Sequence, residues 1–248
     1  MNTLTIQKYL QSAGFDSRRN IRKLINEGKL KVNGKVIRDP NYLIDKTRDK
    51  INYRNKLLQL KVEKKVYFIF NKPPGVMSTL SDPQKRFTLK DYINKIKERV
   101  YPVGRLDFNS EGLILLTNDG DLTQFIISVK NKIPKSYLVK IKGILNEESI
   151  LKLKTKGIFM EGRRIRPLEI KRVKKTPGNN SWVQVTIIEG KKHVIRKLFQ
   201  YTGHPVEKLK RIAIGNIKLK TLPPGHWREL RIEEIEGFKK KYYNPENK

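Results

Sequence analysis

The chain has 248 residues, enough to bury a sizeable core and to divide into two domains. Its 55 Lys and Arg against 24 Asp and Glu leave a formal net charge of +31, which calls for a polyanionic partner, most simply nucleic acid. With no cysteine and only His193, His204 and His226, scattered and without a His-x-x-x-His pair, disulfides, thiolate zinc sites and cysteine nucleophiles are excluded and no metal is expected.

The amino terminus, Met1 to Ile6, lacks a basic stretch followed by a long apolar one, and no apolar run approaches a membrane span. No basic amphipathic helix or lipidation signal points to a membrane surface. A soluble, cytoplasmic, monomeric protein without membrane contact is expected. Ile6, Tyr9 and Leu10 have helical spacing, and Gly14 can end that helix. Asp16 or Ser17 can cap a second helix with Ile21, Leu24 and Ile25 on its apolar face. Arg18 and Arg22, like Arg19 and Lys23, lie one turn apart and form a cationic ridge. Leu30 to Val32, Asn33-Gly34 and Lys35 to Ile37 read as a tight hairpin, Asn-Gly being the strongest short hairpin signal. Helix, basic helix and hairpin together, about residues 3 to 48, resemble the S-four RNA-binding domain. That resemblance implies RNA contact by Arg18, Arg19, Arg22, Lys23 and Lys35, mostly to phosphates, giving affinity with little sequence choice.

A polar, basic stretch follows, with short strands near Ile51–Tyr53 and residues 57–62, and the domain boundary is expected near residue 60. Residues 1–60 then form the first domain and 61–248 the second. Residues 66–70 have the composition of a buried strand. Helices are predicted over 89–97, 121–129, 147–156 and 192–201, and strands over 137–144, 165–173, 182–188 and 211–219. Strands outnumber helices without strict alternation. The fold class predicted is α+β around a mixed, largely antiparallel sheet.

The most informative stretch is Gly104-Arg105-Leu106-Asp107-Phe108-Asn109-Ser110-Glu111-Gly112, followed by a strand pattern from Leu113 to Thr117 and the turn signal Asn118-Asp119-Gly120. Asp107 thus lies in a loop anchored on a core strand, a common setting for catalytic side chains. A neighbouring cation can hold a carboxylate charged, and an arginine can orient it with paired hydrogen bonds. Such a carboxylate can attack an electrophilic carbon. Spacing alone favours a structural turn aspartate over a catalytic one.

The longer pattern is more specific. Gly-Arg-Leu-Asp-x-x-Ser-Glu-Gly-Leu with its Leu-Leu-Thr-Asn-Asp-Gly ending resembles the central motif of the ribosomal RNA pseudouridine synthases of the RsuA/RluB type. Asn71-Lys72-Pro73-Pro74-Gly75-Val76, Lys135-Ser136-Tyr137-Leu138-Val139 and Glu189-Gly190-Lys191-Lys192-His193-Val194-Ile195-Arg196-Lys197-Leu198-Phe199 resemble its other motifs, in the same order, and Gly203-His204-Pro205-Val206 follows as in that family.

The resemblance implies a cofactor-free isomerisation of uridine in ribosomal RNA, more like the large-subunit than the small-subunit enzymes. In it Asp107 corresponds to the catalytic carboxylate, Tyr137 to the tyrosine against the uracil ring and Arg196 to the basic residue that pairs with the aspartate. Arg105 corresponds to the arginine that fills the gap of a flipped base or holds a phosphate. Leu198 corresponds to an apolar residue against the target base, and Lys72, in a rigid Lys-Pro-Pro-Gly loop, to a residue that positions RNA or shapes the cleft wall. His193 receives no catalytic role, and Arg163, Arg164 and Arg166 form a cluster suited to backbone phosphates. Two rivals remain. A non-catalytic RNA-binding ribosome-assembly factor explains the charge but not the ordered carboxylate, arginine and tyrosine. A nucleotide-modifying methyltransferase lacks its Gly-x-Gly cofactor loop and cysteine nucleophile.

Overall fold

A computed structural model describes residues 3–176, 180–191 and 193–243. The chain divides into two compact units, Met1–Lys65 and Val66–Lys248.

In the first unit, helices Ile6–Ser12 and Arg18–Asn26 pack with a four-stranded antiparallel sheet in the order Lys35–Ile37, Leu30–Val32, Ile51–Tyr53, Lys56–Leu57. Ser17 caps the second helix by accepting the Asn20 N–H. Ile21 and Ile25 face a core shared with Ile6, Leu10, Leu30 and Ile51. The Asn33-Gly34 turn has φ of 49° and 85°, the left-handed pair that a two-residue hairpin loop needs. The unit extends past residue 60, because Leu58 and Leu60 pack on its core and the Glu63 N–H bonds the Ser12 carbonyl. Of the strand expected over 57–62, Lys56–Leu57 forms.

The second unit is built on a nine-stranded sheet. Its main path runs Glu169–Thr176, Asn180–Ile187, Lys135–Lys142, Val206–Ile214, Glu111–Thr117, Tyr67–Lys72, Trp227–Glu229. Tyr101–Val103 adds to Glu111–Thr117, and Ile217–Lys218 to Val206–Ile214. Every strand pairing along that path is antiparallel except one. Val206–Ile214 runs parallel to Glu111–Thr117, so the sheet is mixed and largely antiparallel.

Both faces of this sheet are buried. Phe68, Phe70, Ile114 and Leu116 point into one core with Tyr137, Val139 and Val183. Their alternates Ile69, Leu113 and Leu115 point into a second core with Ile126, Ile214 and Phe238. This explains the unbroken apolar run at Leu113 to Leu116, since a strand covered on both sides has no polar face to present. Helices Gly120–Ile127, Glu147–Thr155 and Val194–Tyr201 form close to the predicted spans. Lys192, placed at the start of the last, lies outside the described residues. The helix expected over 89–97 reduces to a 3-10 turn, Leu89–Asp91. There the Asp91 carboxylate accepts the Thr88 N–H at 2.7 Å and tightens the segment into i to i+3 bonding. Leu89 and Ile93 still reach the core, which is why their spacing read as helical. The strand expected over 165–173 splits into Arg163–Ile165 and Glu169–Thr176 around Pro167, and proline cannot continue a ladder.

Candidate active site

The parallel pairing marks the centre of the site. Registered partners run across four strands as Tyr137, Arg211, Gly112 and Lys72. The strands meet tightly in that row. Gly112 has φ 109°, and a Cβ there would lie 2.3 Å from the Arg211 carbonyl oxygen and 2.6 Å from its nitrogen, so only glycine fits. The Arg211 Nε donates to the Leu113 carbonyl at 2.7 Å, tying the two strands again through a buried guanidinium.

The loop 104–110 enters this row just ahead of Gly112. Asp107 sits between two clamped residues. On one side the Ser78 hydroxyl accepts the Leu106 N–H at 3.0 Å and donates to the Leu106 carbonyl at 2.7 Å. On the other, the Phe108 carbonyl accepts from the Gly75 N–H at 2.9 Å and from Lys72 Nζ at 3.1 Å. The Ser110 N–H closes the turn onto the Asp107 carbonyl at 3.0 Å. The backbone on both sides of the carboxylate is therefore held while its side chain stays about one-third exposed, the arrangement wanted for a preorganised group.

Asp107 opens into a cleft of about 900 Å³ lined by Arg105, Phe108, Lys135, Tyr137, Lys191, His193, Arg196 and Arg211. Tyr137 comes from the strand Lys135–Lys142 and is almost wholly buried. Lys135, two residues earlier on the same strand face, bonds the carbonyls of Ile133 and Ile188. Burial and the neighbouring Arg211 push its ammonium down to about 8, partly offset by Glu189. Of the Arg211 guanidinium, Nη2 is buried with no hydrogen-bond partner among the described residues.

Some expected residues stand elsewhere or make other contacts. Asp107 and Arg196 share the cleft but form no ion pair. Arg196 Nη1 donates to the Val206 carbonyl at 3.1 Å, and His193 Nε2 lies 3.6 Å from the Asp107 carboxylate. The cause is local. Helix Val194–Tyr201 begins after His193, whose left-handed φ of 59° turns its ring toward the aspartate, a conformation that a non-glycine residue adopts at some cost. Leu198 is not on the cleft wall. It faces the large core with Val194 and Ile195. Lys72 does not face solvent for RNA. It is fully buried, and Nζ donates to Pro73, Val76 and Phe108 carbonyls at 2.9, 2.8 and 3.1 Å. Burial lowers its ammonium to about 8, while Asp107 and Glu111 pull in the opposite direction. Arg105 is exposed on the cleft wall. In the first unit Arg18, Arg19, Arg22, Lys23 and Lys35 are all exposed, and Lys23 approaches Glu27 at 3.8 Å. The residues that sequence reasoning did not single out are Ser78, Arg211 and the pairing role of His193. Ser78 carries no local signal, and Arg211 is one basic residue among 55.

Residues 66–201 match the family model for RNA pseudouridylate synthase, and residues 4–50 match the S4 domain. The chain belongs to the RNA pseudouridylate synthase family. Enzymes of this family are isomerases that convert uridine to pseudouridine. An RNA pseudouridine synthase of Aquifex aeolicus is 41% identical over 95% of this chain and 93% of its own length. The ribosomal large subunit pseudouridine synthase B of Bacillus subtilis is 38% identical over 94% of this chain and 95% of its own. A crystal structure of a pseudouridylate synthase superposes with a TM-score of 0.63 at 28% identity, covering 94% of this chain and 98% of that one.

Proposed function

We propose that this enzyme isomerises one uridine of ribosomal RNA, in the large subunit, with Asp107 as the catalytic carboxylate and without a cofactor. The observation that supports it best is the clamped carboxylate itself. Asp107 is held between Leu106 and Phe108 by Ser78, Gly75 and Lys72, in a cleft that Tyr137, His193, Arg196 and Arg211 also line. The S4 domain and the net charge of +31 support an RNA substrate. The large-subunit assignment is carried over from the Bacillus subtilis relative, whose name specifies that subunit.

The chemistry needs no added atoms. The N1–C1′ bond of the uridine breaks, the uracil turns, C5 bonds to C1′, the C5 proton leaves and N1 regains one. A base inside a helix hides C1′, so the nucleotide must first leave the stack. Asp107 then faces the sugar, where its carboxylate either attacks C1′ or draws a proton from C2′. Both routes use the same fixed oxygen. Tyr137 presents a ring face to the turning base and a hydroxyl that can pass on its proton. Arg105, exposed at the rim, can take the vacated stacking position or a phosphate.

Asp107→Asn tests this reading. The variant should fold and bind RNA like the parent but form no pseudouridine, as read by carbodiimide labelling of ribosomal RNA from cells with and without the protein. Full conversion by the variant would remove Asp107 from the mechanism.

A further inference from the structure

The hairpin formed by Ile158–Met160 and Arg163–Ile165 stands outside the chemistry just described. Its inner face is ordinary, with Ile158, Met160 and Ile165 buried in the large core. Its outer face is not. Phe159 is 75% exposed, the highest value among the large apolar side chains described. Directly across the ladder from it is Arg164, so the ring and the guanidinium share that face. Arg166 is exposed just beyond the strand end, whereas Arg163, paired with Met160, belongs to the other face. The nearby carboxylates are already engaged: Glu161 with Lys191 at 3.1 Å, Glu169 with Lys171 at 2.6 Å, and Glu147 with Arg172. Arg164 and Arg166 therefore stand beside an exposed ring with no carboxylate paired to them among the described residues.

The hairpin is also fixed to the cleft. Lys191, which lines it, donates to the carbonyls of Met160 and Glu161 at 3.0 and 3.3 Å as well as pairing with the Glu161 carboxylate. Helix Val194–Tyr201, which carries Arg196, packs against the strand Ile158–Met160. Lys191 thus links the cleft wall to the turn of this hairpin.

We propose that the outer face of the hairpin is a second RNA-binding element, which stacks one unpaired base on Phe159 and holds the adjoining phosphates with Arg164 and Arg166. An apolar protein partner would have to bury two guanidinium groups without counter-charges, which is costly. An RNA duplex offers phosphates but no free base face. Single-stranded RNA supplies both, as aromatic platforms flanked by cations do elsewhere. This rests on the RNA-substrate reading above.

The test uses the full chain, a single-stranded uridine-rich RNA and a duplex RNA of equal length. Phe159→Leu keeps an apolar side chain and removes the ring. It should weaken single-strand binding about tenfold and leave duplex binding and thermal stability unchanged. Phe159→Trp should restore the affinity, and its added emission should be quenched by the single strand. Arg164→Gln with Arg166→Gln should lower the slope of log affinity against log salt by about 0.7 per residue. Unchanged single-strand affinity in Phe159→Leu, with the parent binding RNA, overturns this inference and leaves the isomerase reading standing. A parent that binds neither RNA overturns both. Self-association lost in Phe159→Leu without any change in RNA binding assigns the face to a second copy of the chain and also overturns it.

Discussion

Ser78 and Leu106 are joined by two hydrogen bonds through a single hydroxyl, which accepts the Leu106 N–H and donates to the Leu106 carbonyl at 3.0 and 2.7 Å. Ser78 is buried in the cleft wall and 28 positions away in the chain, and both bonds of its hydroxyl go to the residue before Asp107. Ser78→Ala leaves two buried backbone groups unpaired. It should destabilise the protein by about 2–4 kcal/mol. It should also lower kcat on the order of tenfold or more, since small misplacements of a reacting group are costly, with KM little changed. Denaturant titration and single-turnover kinetics check both.

Gly112 should not tolerate any side chain. Gly112→Ala places a methyl group 2.3 Å from the Arg211 carbonyl oxygen at φ 109°. The loss is expected to be about 3 kcal/mol or more from combined overpacking and backbone strain. Because the parallel pairing is displaced, Asp107 and Arg211 should separate and activity should fall with stability. A thermal melt that matches the parent would contradict the crowding seen at this crossing.

Lys72 gives a pH signature with two opposite signs. Its ammonium titrates at about 8 in the folded chain against a usual 10.5. A lysine with a lowered folded pKa costs stability while charged. That cost is full below about pH 8 and is relieved as pH rises toward the unfolded value. Lys135, also lowered to about 8, acts in the same direction. Their contribution to stability therefore rises between pH 8 and 10. Activity should fall over the same window, because neutral Lys72 has two hydrogens for three carbonyls and releases its hold near Phe108. Urea midpoints and kcat measured at pH 7.5 and 9.5 should move apart.

The basic ridge of the first unit should act on affinity alone. Arg18→Gln with Arg22→Gln is expected to lower the salt slope of RNA binding by about two, with turnover at saturating RNA unchanged. An unaltered slope would leave those guanidinium groups as solvated charges.

The sequence made the scaffold readable where a pattern is local. The Asn33-Gly34 turn, the cap at Ser17 and the strand through Leu113 to Thr117 each follow from a few neighbouring residues. Asp107 was legible through a nine-residue motif. Lys72 was not, because a lysine at the end of an apolar strand suggests emergence into solvent. Only the turn at Pro73 to Val76 and the distant Phe108 bring three carbonyls onto its nitrogen. Arg196 could be placed in the cleft from its motif, but its partner could not, since the left-handed turn at His193 decides which side chain faces the aspartate. Ser78 and Arg211 act through residues 28 and 98 positions away, beyond any local pattern.

The Arg211–Leu113 bond joins the last long strand of the sheet to the strand that follows the aspartate loop. Closing so large a loop is a late and slow event in folding. A nascent chain that has released only its first two hundred or so residues already holds the aspartate, the tyrosine and the basic helix of the first unit, yet lacks the strand that joins the two halves of the sheet. Such a fragment would be able to hold RNA before it could rearrange it, and turnover would begin only when synthesis had delivered the strand that locks the centre.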